Sequence, residues 1–467
     1  MPDVGTPENP LRVAIVGAGP AGFYAAGHLL KQKDFTVEVD MFDKLPTPFG
    51  LVRAGVAPDH QKIKNVTRVY DKTAALPGFR FFGNVRFGTH LGLEELKQHY
   101  HQICFTTGAQ VDRRLGIAGE DLGRSHSATD FVAWYNGHPE YRHLAFDLSQ
   151  ERVAVVGVGN VAVDVCRILC RTIEELETTD IADYALEALR QSRVKEVCML
   201  GRRGPAQAAF TNPEAKELGE LPGADIHVLP EEATLDALSR AALEANPNRL
   251  TEKKVGMIRD FSTQPRTDKP RLLTIRFLVS PVEIHDDGTG HVGGLRLVKN
   301  VLYETDDGRL RPRHSEHYEE LPVGLLFRSV GYRGVPLPGV PFHERWGVIL
   351  NEKGRVLDEQ TQQPVTGLYA AGWIKRGPTG VIGTNKADAL DTVKCMLEDV
   401  ASGAHFHPSA PEADAAEGFV RACQPDYVSY ADWQRIDQQE VEKGQAQGRP
   451  RVKFICAEDM LAALGRA

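Results

Sequence analysis

Two adjacent arginines, Arg202 and Arg203, follow the apolar run Val197–Leu200 in the stretch CMLGRRGP. A guanidinium is a planar fork of donors that matches a phosphate in two-point contact. Two of them at the end of a buried strand make a place for a ribose carrying a 2′-phosphate. An acid at that position would repel the phosphate, and would instead accept hydrogen bonds from an unphosphorylated ribose. Such an acid exists earlier in the chain, where Asp43 closes the strand-like segment TVEVDMFD. The chain therefore offers two ribose sites of opposite character. The competing reading of the arginines is a solvated basic turn.

Each site is preceded by the glycines that a dinucleotide needs. Gly17, Gly19 and Gly22 form GxGxxG between the apolar run Val13–Val16 and a helical pattern from Ala21 to Leu30. The first glycine permits a tight turn, the second lets the backbone approach a pyrophosphate, and the third lets helix and strand pack closely. The helix N-terminus then faces the phosphates. Asp43 lies 21 residues beyond Gly22, about where the ribose acid belongs. The pattern recurs as Val153–Val156, Gly157, Gly159 and Ala162, followed by a helix and the strand KEVCML before the arginines. Strand, glycines, helix and strand in order are a far more specific signal than glycines alone.

These sites need parallel sheets to position them. The 467 residues predict two or three domains, and an apolar content of 42% supplies their cores. A net charge of −8 and a pI near 6.1 argue against a nucleic-acid partner. No apolar run approaches membrane-spanning length. The seven cysteines are odd in number and scattered without a CxxC pair. No disulfide framework, zinc site or iron–sulfur site is expected, and a reducing compartment is. The N-terminal MPDVGTPENPLR shows neither an apolar core nor an Arg/Ser-rich stretch, so no targeting peptide is expected.

In the segment TTDIADYALEALRQ, Ile181, Ala185 and Leu189 share one helix face. From Arg271 to Gly331 the pattern turns to β. RLLTIRFLVSPVEI and GGLRLVKNVLYET, on either side of HDDGTGHV, predict a small antiparallel layer in the second nucleotide unit. GLLFRSVGYRG and GLYAAGW read as further strands, KADALDTVKCMLEDV as a helix, and residues 401–418 as a surface loop. The fold class is α/β with two Rossmann-like units.

Four stretches now carry a resemblance: LPTPFGLVRAGVAPDHQKIKN (45–65), GVGNVAVDV (157–165), GRRGPAQAAFT (201–211) and AAGWIKRGPTGVIGTNKADA (370–389). With FVAWYNGHPEY (131–141) and DWQRIDQQEVEKGQAQGRPRVKF (432–454), they resemble the adrenodoxin reductase family, whose bacterial members are NADPH–ferredoxin reductases. The resemblance implies a glutathione-reductase-like flavoprotein. Its FAD domain would be built from residues 1–111 and 328–467, with an NADP domain, 112–327, inserted between crossovers near Gly108 and Gly331. It implies FAD contacts from Gly17, Gly19, Pro20, Ala21, Gly22, Asp43, Leu51, Val85 and Trp373, and from the backbone of Gly380, Val381 and Ile382. TGVIGTNKADA reads as the glycine-rich start of a helix, whose positive end would stabilise reduced flavin. NADP(H) would meet Arg113, Val158, Gly159, Asn160, Val161, Arg202, Arg203, Glu214 and Gly380.

His60, Asp164 and Glu217 are the implied catalytic residues, with His60 near flavin and nicotinamide and Asp164 approaching from the NADP domain. Asp59 is read as a helix N-cap. Hydride transfer needs no general base, so His60 is expected to tune electrostatics or handle a proton. The implied reaction passes hydride from NADPH to FAD and single electrons to a ferredoxin-type iron–sulfur protein in trans, serving a cytochrome P450 or another redox pathway. A flavodoxin is the alternative acceptor. A bacterial cytoplasmic monomer without a metal site is implied. A disulfide reductase would need a cysteine pair, and Cys166 and Cys170, at i, i+4 on a helix, read as small hydrophobes. A non-catalytic nucleotide-binding subunit is the other rival.

Overall fold

A computed structural model describes residues 3–466. Strands β1 (Leu11–Val16), β2 (Val37–Phe42), β3 (Phe79–Phe82) and β4 (Gln102–Phe105) begin one sheet. β5 (Val111–Asp112) leads away from it. β6 (Ser125–Ser127), β7 (Arg152–Val156), β8 (Glu196–Gly201), β9 (Ala224–Val228) and β10 (Arg271–Phe277) belong to a second. β11 (Val279–Asp286), β12 (Val292–Glu304) and β13 (Leu310–Leu321) form an antiparallel layer, and β14 (Leu325–Arg328) re-enters the second sheet between β6 and β7. β15 (Tyr332–Arg333) returns antiparallel to β5, so the two crossings run side by side. After the short pair β16 (Phe342–His343) and β17 (Val348–Ile349), strands β18 (Asn351–Glu352), β19 (Arg355–Leu357) and β20 (Pro364–Ala370) complete the first sheet. Its order is β18-β19-β20-β4-β1-β2-β3, and the second is β6-β14-β7-β8-β10-β9, parallel throughout.

Every residue of β1 is buried because both faces of its sheet are covered. Leu11, Val13 and Ile15 pack with Phe23, Ala26 and Leu29 of the helix Pro20–Lys31. Ala14 and Val16 pack on the opposite side with Phe42, Phe82 and Phe105. The second sheet repeats this. Val153 and Val155 face the helical core, while Ala154 and Val156 meet Ile284, Leu295 and Leu297 of the antiparallel layer. Each large apolar side chain so buried contributes about 1.5–3 kcal/mol.

Two expectations need correction. RLLTIRF does not join the antiparallel layer: as β10 it lies parallel between β8 and β9. Its alternation buries both faces, which a half-exposed hairpin would not. Residues 401–418 are not all loop, since Ala413 opens the helix Ala413–Cys423, whose Ala416 and Val420 enter the first core. Ala185 and Leu189 are buried on one face of the helix Asp183–Arg190 as their spacing predicts, while Ile181, also buried, lies just before that helix rather than on it.

The C-terminal stretch ties the two sheets together. Fully buried Glu440 accepts from Arg53 (2.7 Å) and from the Phe454 amide (2.8 Å). Buried Asp180 holds Lys64 Nζ at 2.7 Å and Lys453 Nζ at 3.2 Å, and Arg449 donates to the Thr179 carbonyl.

Candidate active site

The two glycine loops divide their work as the spacing requires. Gly17 has φ +112°, and a Cβ there would lie 2.7 Å from the Thr106 carbonyl oxygen. A Cβ at Gly22 would strike the Gly17 carbonyl. Gly19 is different: its backbone is ordinary and extended (φ −86°, ψ −174°), and an added Cβ would meet nothing within 4 Å. Gly159 is its counterpart (φ −102°, ψ 175°), again with open space. Nothing in the protein demands glycine at 19 or 159. Both caps leave the first helix N–H groups without a side-chain partner, and neither helix carries an acid in its first turn. Open space beneath free amide donors is what a pyrophosphate needs, so both loops fit a dinucleotide.

Asp43 braces the first loop. Its carboxylate accepts from Ala18 N (2.9 Å) and Leu45 N (3.0 Å), leaving a lone pair on each oxygen, and burial raises its pKa. Val85 donates its amide to the Asp43 carbonyl (2.8 Å), and its side chain lies in the core.

Arg202 is exposed and Arg203 half-buried, and among the described residues neither guanidinium has an ion pair or hydrogen bond. Their backbone is nonetheless fixed: the Arg202 carbonyl accepts from Asn300 Nδ2 (2.8 Å) and that of Arg203 from Leu278 N. By contrast, Arg276 is paired with both Glu232 and Glu319. Desolvation, then its neighbour Arg202, lowers the Arg203 pKa. Two mutually repelling guanidiniums without a counter-charge fit a 2′-phosphate. The segment beyond them is latched to the glycine loop. Asn160 Oδ1 accepts from Thr211 N, and the Val158 carbonyl from Ala209 and Phe210. Val161 packs against the same core. Arg113 lies at the crossing, donating to the carbonyls of Tyr332 (3.2 Å) and Trp346 (3.1 Å).

Trp373 stacks on Tyr332, next to the return crossing, at 6.1 Å and 21°. Its indole N–H donates to the Thr379 carbonyl, the start of an exposed run through Gly380 and Val381 to the helix Thr384–Ala401. Ile382 packs partly on the core, and Leu51 is 42% exposed. A Cβ at Gly372 would strike Ala21, so this C-terminal segment seats directly against the first glycine loop with Pro20 and Ala21.

Between the two units lies a charge cluster. His60, 9% exposed, places Nε2 2.7 Å from Glu217 Oε2. Arg167, fully buried, donates to Asp59 through Nε (2.6 Å) and Nη2 (3.1 Å), to Asp164 (2.6 Å) and to Glu214 (3.1 Å). Burial raises the carboxyls of Asp164 and Glu214, the latter to about 6 with Asp164 adding repulsion. The three implied catalytic residues thus converge, Asp164 through Arg167. Asp59 is not the N-cap; His60 occupies that position, and Asp59 pairs with Arg167 and Arg171 instead. Pro213 sits in the first turn of the helix Asn212–Gly219, from which buried Glu214 and more exposed Glu217 both reach the cluster.

Sequence reading missed Arg167. Its signal was a cation three residues after Asp164 inside the apolar helix VAVDVCRILC. Ligand atoms of His60, Glu214 and Glu217 lie within 4.8 Å of one another, a possible metal set by type. The guanidinium already supplies the positive charge there and would repel a metal ion. A cavity of about 520 Å³ lies away from this cluster, lined by Arg152 and Glu196 at the opposite strand ends.

Residues 11–199 match the family described as Pyridine nucleotide-disulphide oxidoreductase. The chain is 46% identical to NADPH-ferredoxin reductase FprA of Mycobacterium leprae, over 97% of this chain and 98% of the relative. It belongs to the NADPH–ferredoxin reductase family. Members of that family also include NADPH:adrenodoxin oxidoreductase of Salvelinus fontinalis, 39% identical over 98% of this chain and 91% of that protein. The structure of Mycobacterium tuberculosis FprA in complex with NADPH is 44% identical, with a TM-score of 0.92 over 98% of this chain and all of that one. The resemblance read from the motifs is borne out, and so is the α/β class with its two Rossmann-like units. A disulfide-reductase chemistry is disfavoured on the chain itself: Cys166 and Cys170 are free and buried, and burial pushes the Cys170 thiol up to about 12. Among the described residues, no helix is long and apolar enough to cross a membrane.

Proposed function

We propose that this chain is an FAD-dependent NADPH–ferredoxin oxidoreductase. The observation that carries it is the pair of open glycine loops, one ending in Asp43 and one in two unpartnered arginines. When bound, FAD would take hydride from NADPH and release electrons singly to an iron–sulfur acceptor. The chain's own residues bind and orient. Gly17–Gly22, Asp43, Leu51, Trp373 and the 380–382 backbone hold FAD; Val85 shapes the wall behind Asp43. Gly159 and the neighbouring residues 158–161 receive the NADPH pyrophosphate, Arg202 and Arg203 the 2′-phosphate; Arg113 and Glu214 are further NADP contacts, and Gly380 borders the nicotinamide side.

The FAD domain comprises residues 1–111 and 328–467, and the NADP domain 112–327. His60, Asp164 and Glu217 line the junction, where His60 Nε2 lies 2.7 Å from Glu217 Oε2. Of the four carboxylates around the Arg167 guanidinium, Asp59 comes from the FAD domain, so that ion pair ties the two domains together.

The partner is a ferredoxin-type protein, with a flavodoxin as an alternative. A monomer in the bacterial cytoplasm agrees with the family and with seven free cysteines. The test is NADPH-driven reduction of ferredoxins carrying 2Fe–2S, 3Fe–4S or 4Fe–4S clusters. Rapid reduction of at least one supports the reading. Turnover with disulfide substrates alone would replace it with the rival chemistry.

A further inference from the structure

The His60 ring has two nitrogens in unlike company. Nε2 lies 2.7 Å from Glu217 Oε2, a carboxylate oxygen that accepts. Nδ1 lies 3.4 Å from Arg167 Nη2. Both Nη2 hydrogens go to Asp59 and Asp164, and a guanidinium nitrogen has no lone pair to accept with, so an N–H on the ring nitrogen facing it would find no acceptor there. A proton on Nδ1 would set one N–H against a fully buried guanidinium. Arg167 cannot turn away. Asp59 grips it at two nitrogens, Asp164 and Glu214 take the remaining directions, and Arg171 fixes Asp59 from behind. The other group nearby, the buried Tyr135 hydroxyl, has no partner.

We propose that Arg167 is a positioning residue that holds His60 as the Nε2–H tautomer, with that proton aimed at Glu217. Glu217 is the group of this cluster most open to water, 39% exposed at its side chain. The proton is therefore kept on the side from which it exchanges with solvent, and the lone pair is kept inside. The same guanidinium spans both units, so tautomer and domain approach are set by one group. The idea rests on the proposed function only for its purpose, because the tautomer is a property of the protein.

The test is 15N–1H correlation spectroscopy of histidine-labelled holoprotein at about pH 8, above the ordinary imidazole range. A His60→Gln sample assigns the signal. The expected pattern is that of a ring protonated at Nε2 only. In Arg167→Met, and less so in Arg167→Lys, the signal should move toward a mixture of tautomers, with kcat falling at least about tenfold. A wild-type ring protonated at Nδ1, or at both nitrogens, overturns the proposal. So does a folded Arg167→Met protein that keeps the pure Nε2–H pattern. Should that variant not fold, the wild-type spectrum decides alone. Loss of ferredoxin reduction with an intact Nε2–H signal would count against the enzyme function and leave the tautomer standing.

Discussion

Arg167 and Asp59 meet in a two-point ion pair across the junction of the two units, at 2.6 and 3.1 Å, with the arginine fully buried. Burial alone would raise the Asp59 carboxyl, but Arg167 and Arg171 outweigh it and hold it well below the usual carboxylate range. Its charge thus stabilises the folded state above the unfolded carboxyl range, about pH 4, and this stabilisation is lost as pH falls toward the folded value. Asp59→Asn should cost about 3–5 kcal/mol at neutral pH, the range for breaking a buried pair. Denaturant unfolding at pH 7 and at about pH 3 checks this. The difference between variant and wild type should shrink at the lower pH, and an unchanged difference would contradict it.

Glu214 should behave in the opposite sense. Its folded pKa of about 6 lies above the ordinary value, chiefly through burial. Its ionised form therefore weakens the fold as pH rises through that value, and the penalty is absent below the ordinary glutamate range. Glu214→Gln should be more stable than wild type by about 1 kcal/mol at pH 8, after allowance for screening, and equal to it at about pH 4. Paired unfolding curves read this directly.

Gly159 separates ligand from fold. Its backbone suits any residue and its Cβ direction is open. Gly159→Ala should keep the melting temperature of wild type while raising the KM for NADPH at least about tenfold. A melting temperature lowered along with binding would mean that the glycine serves the fold.

Arg202 and Arg203, whose guanidiniums have no partner among the described residues, are the groups we propose set the nucleotide preference. A hydrogen bond to a charged group is worth about 1.5–3 kcal/mol, so removing one guanidinium should weaken NADPH about 10- to 150-fold. The double Arg→Gln variant should bring the KM for NADPH up to that for NADH, with the NADH value little changed. A retained preference for NADPH would show that the phosphate is read elsewhere.

Much of this arrangement was legible in the chain. The glycine spacings marked both loops because their jobs are local: a turn, an approach, a close packing. The antiparallel layer was seen but given β10, which it lacks, because β10 and β11 are joined by Leu278 alone, and its third strand, the highly charged β13, went unread because its pattern is mostly exposed. The charge cluster was only half legible. His60, Asp164 and Glu217 could be named from motifs, but their connector could not. Arg167 is a charge inside an apolar helix whose four carboxylate partners come from three separate segments. No periodicity encodes such a meeting.

The two glycine loops, at Gly17–Gly22 and Gly157–Ala162, lie within one chain, which we propose brings FAD and NADPH together. The most direct measurement is an anaerobic titration of the purified protein, followed by its visible absorbance. NADPH should bleach a bound yellow flavin near one equivalent, and NADH at the same concentration should leave most of the colour. A colourless protein that takes up no FAD, or a flavin that stays oxidised under NADPH, would contradict it.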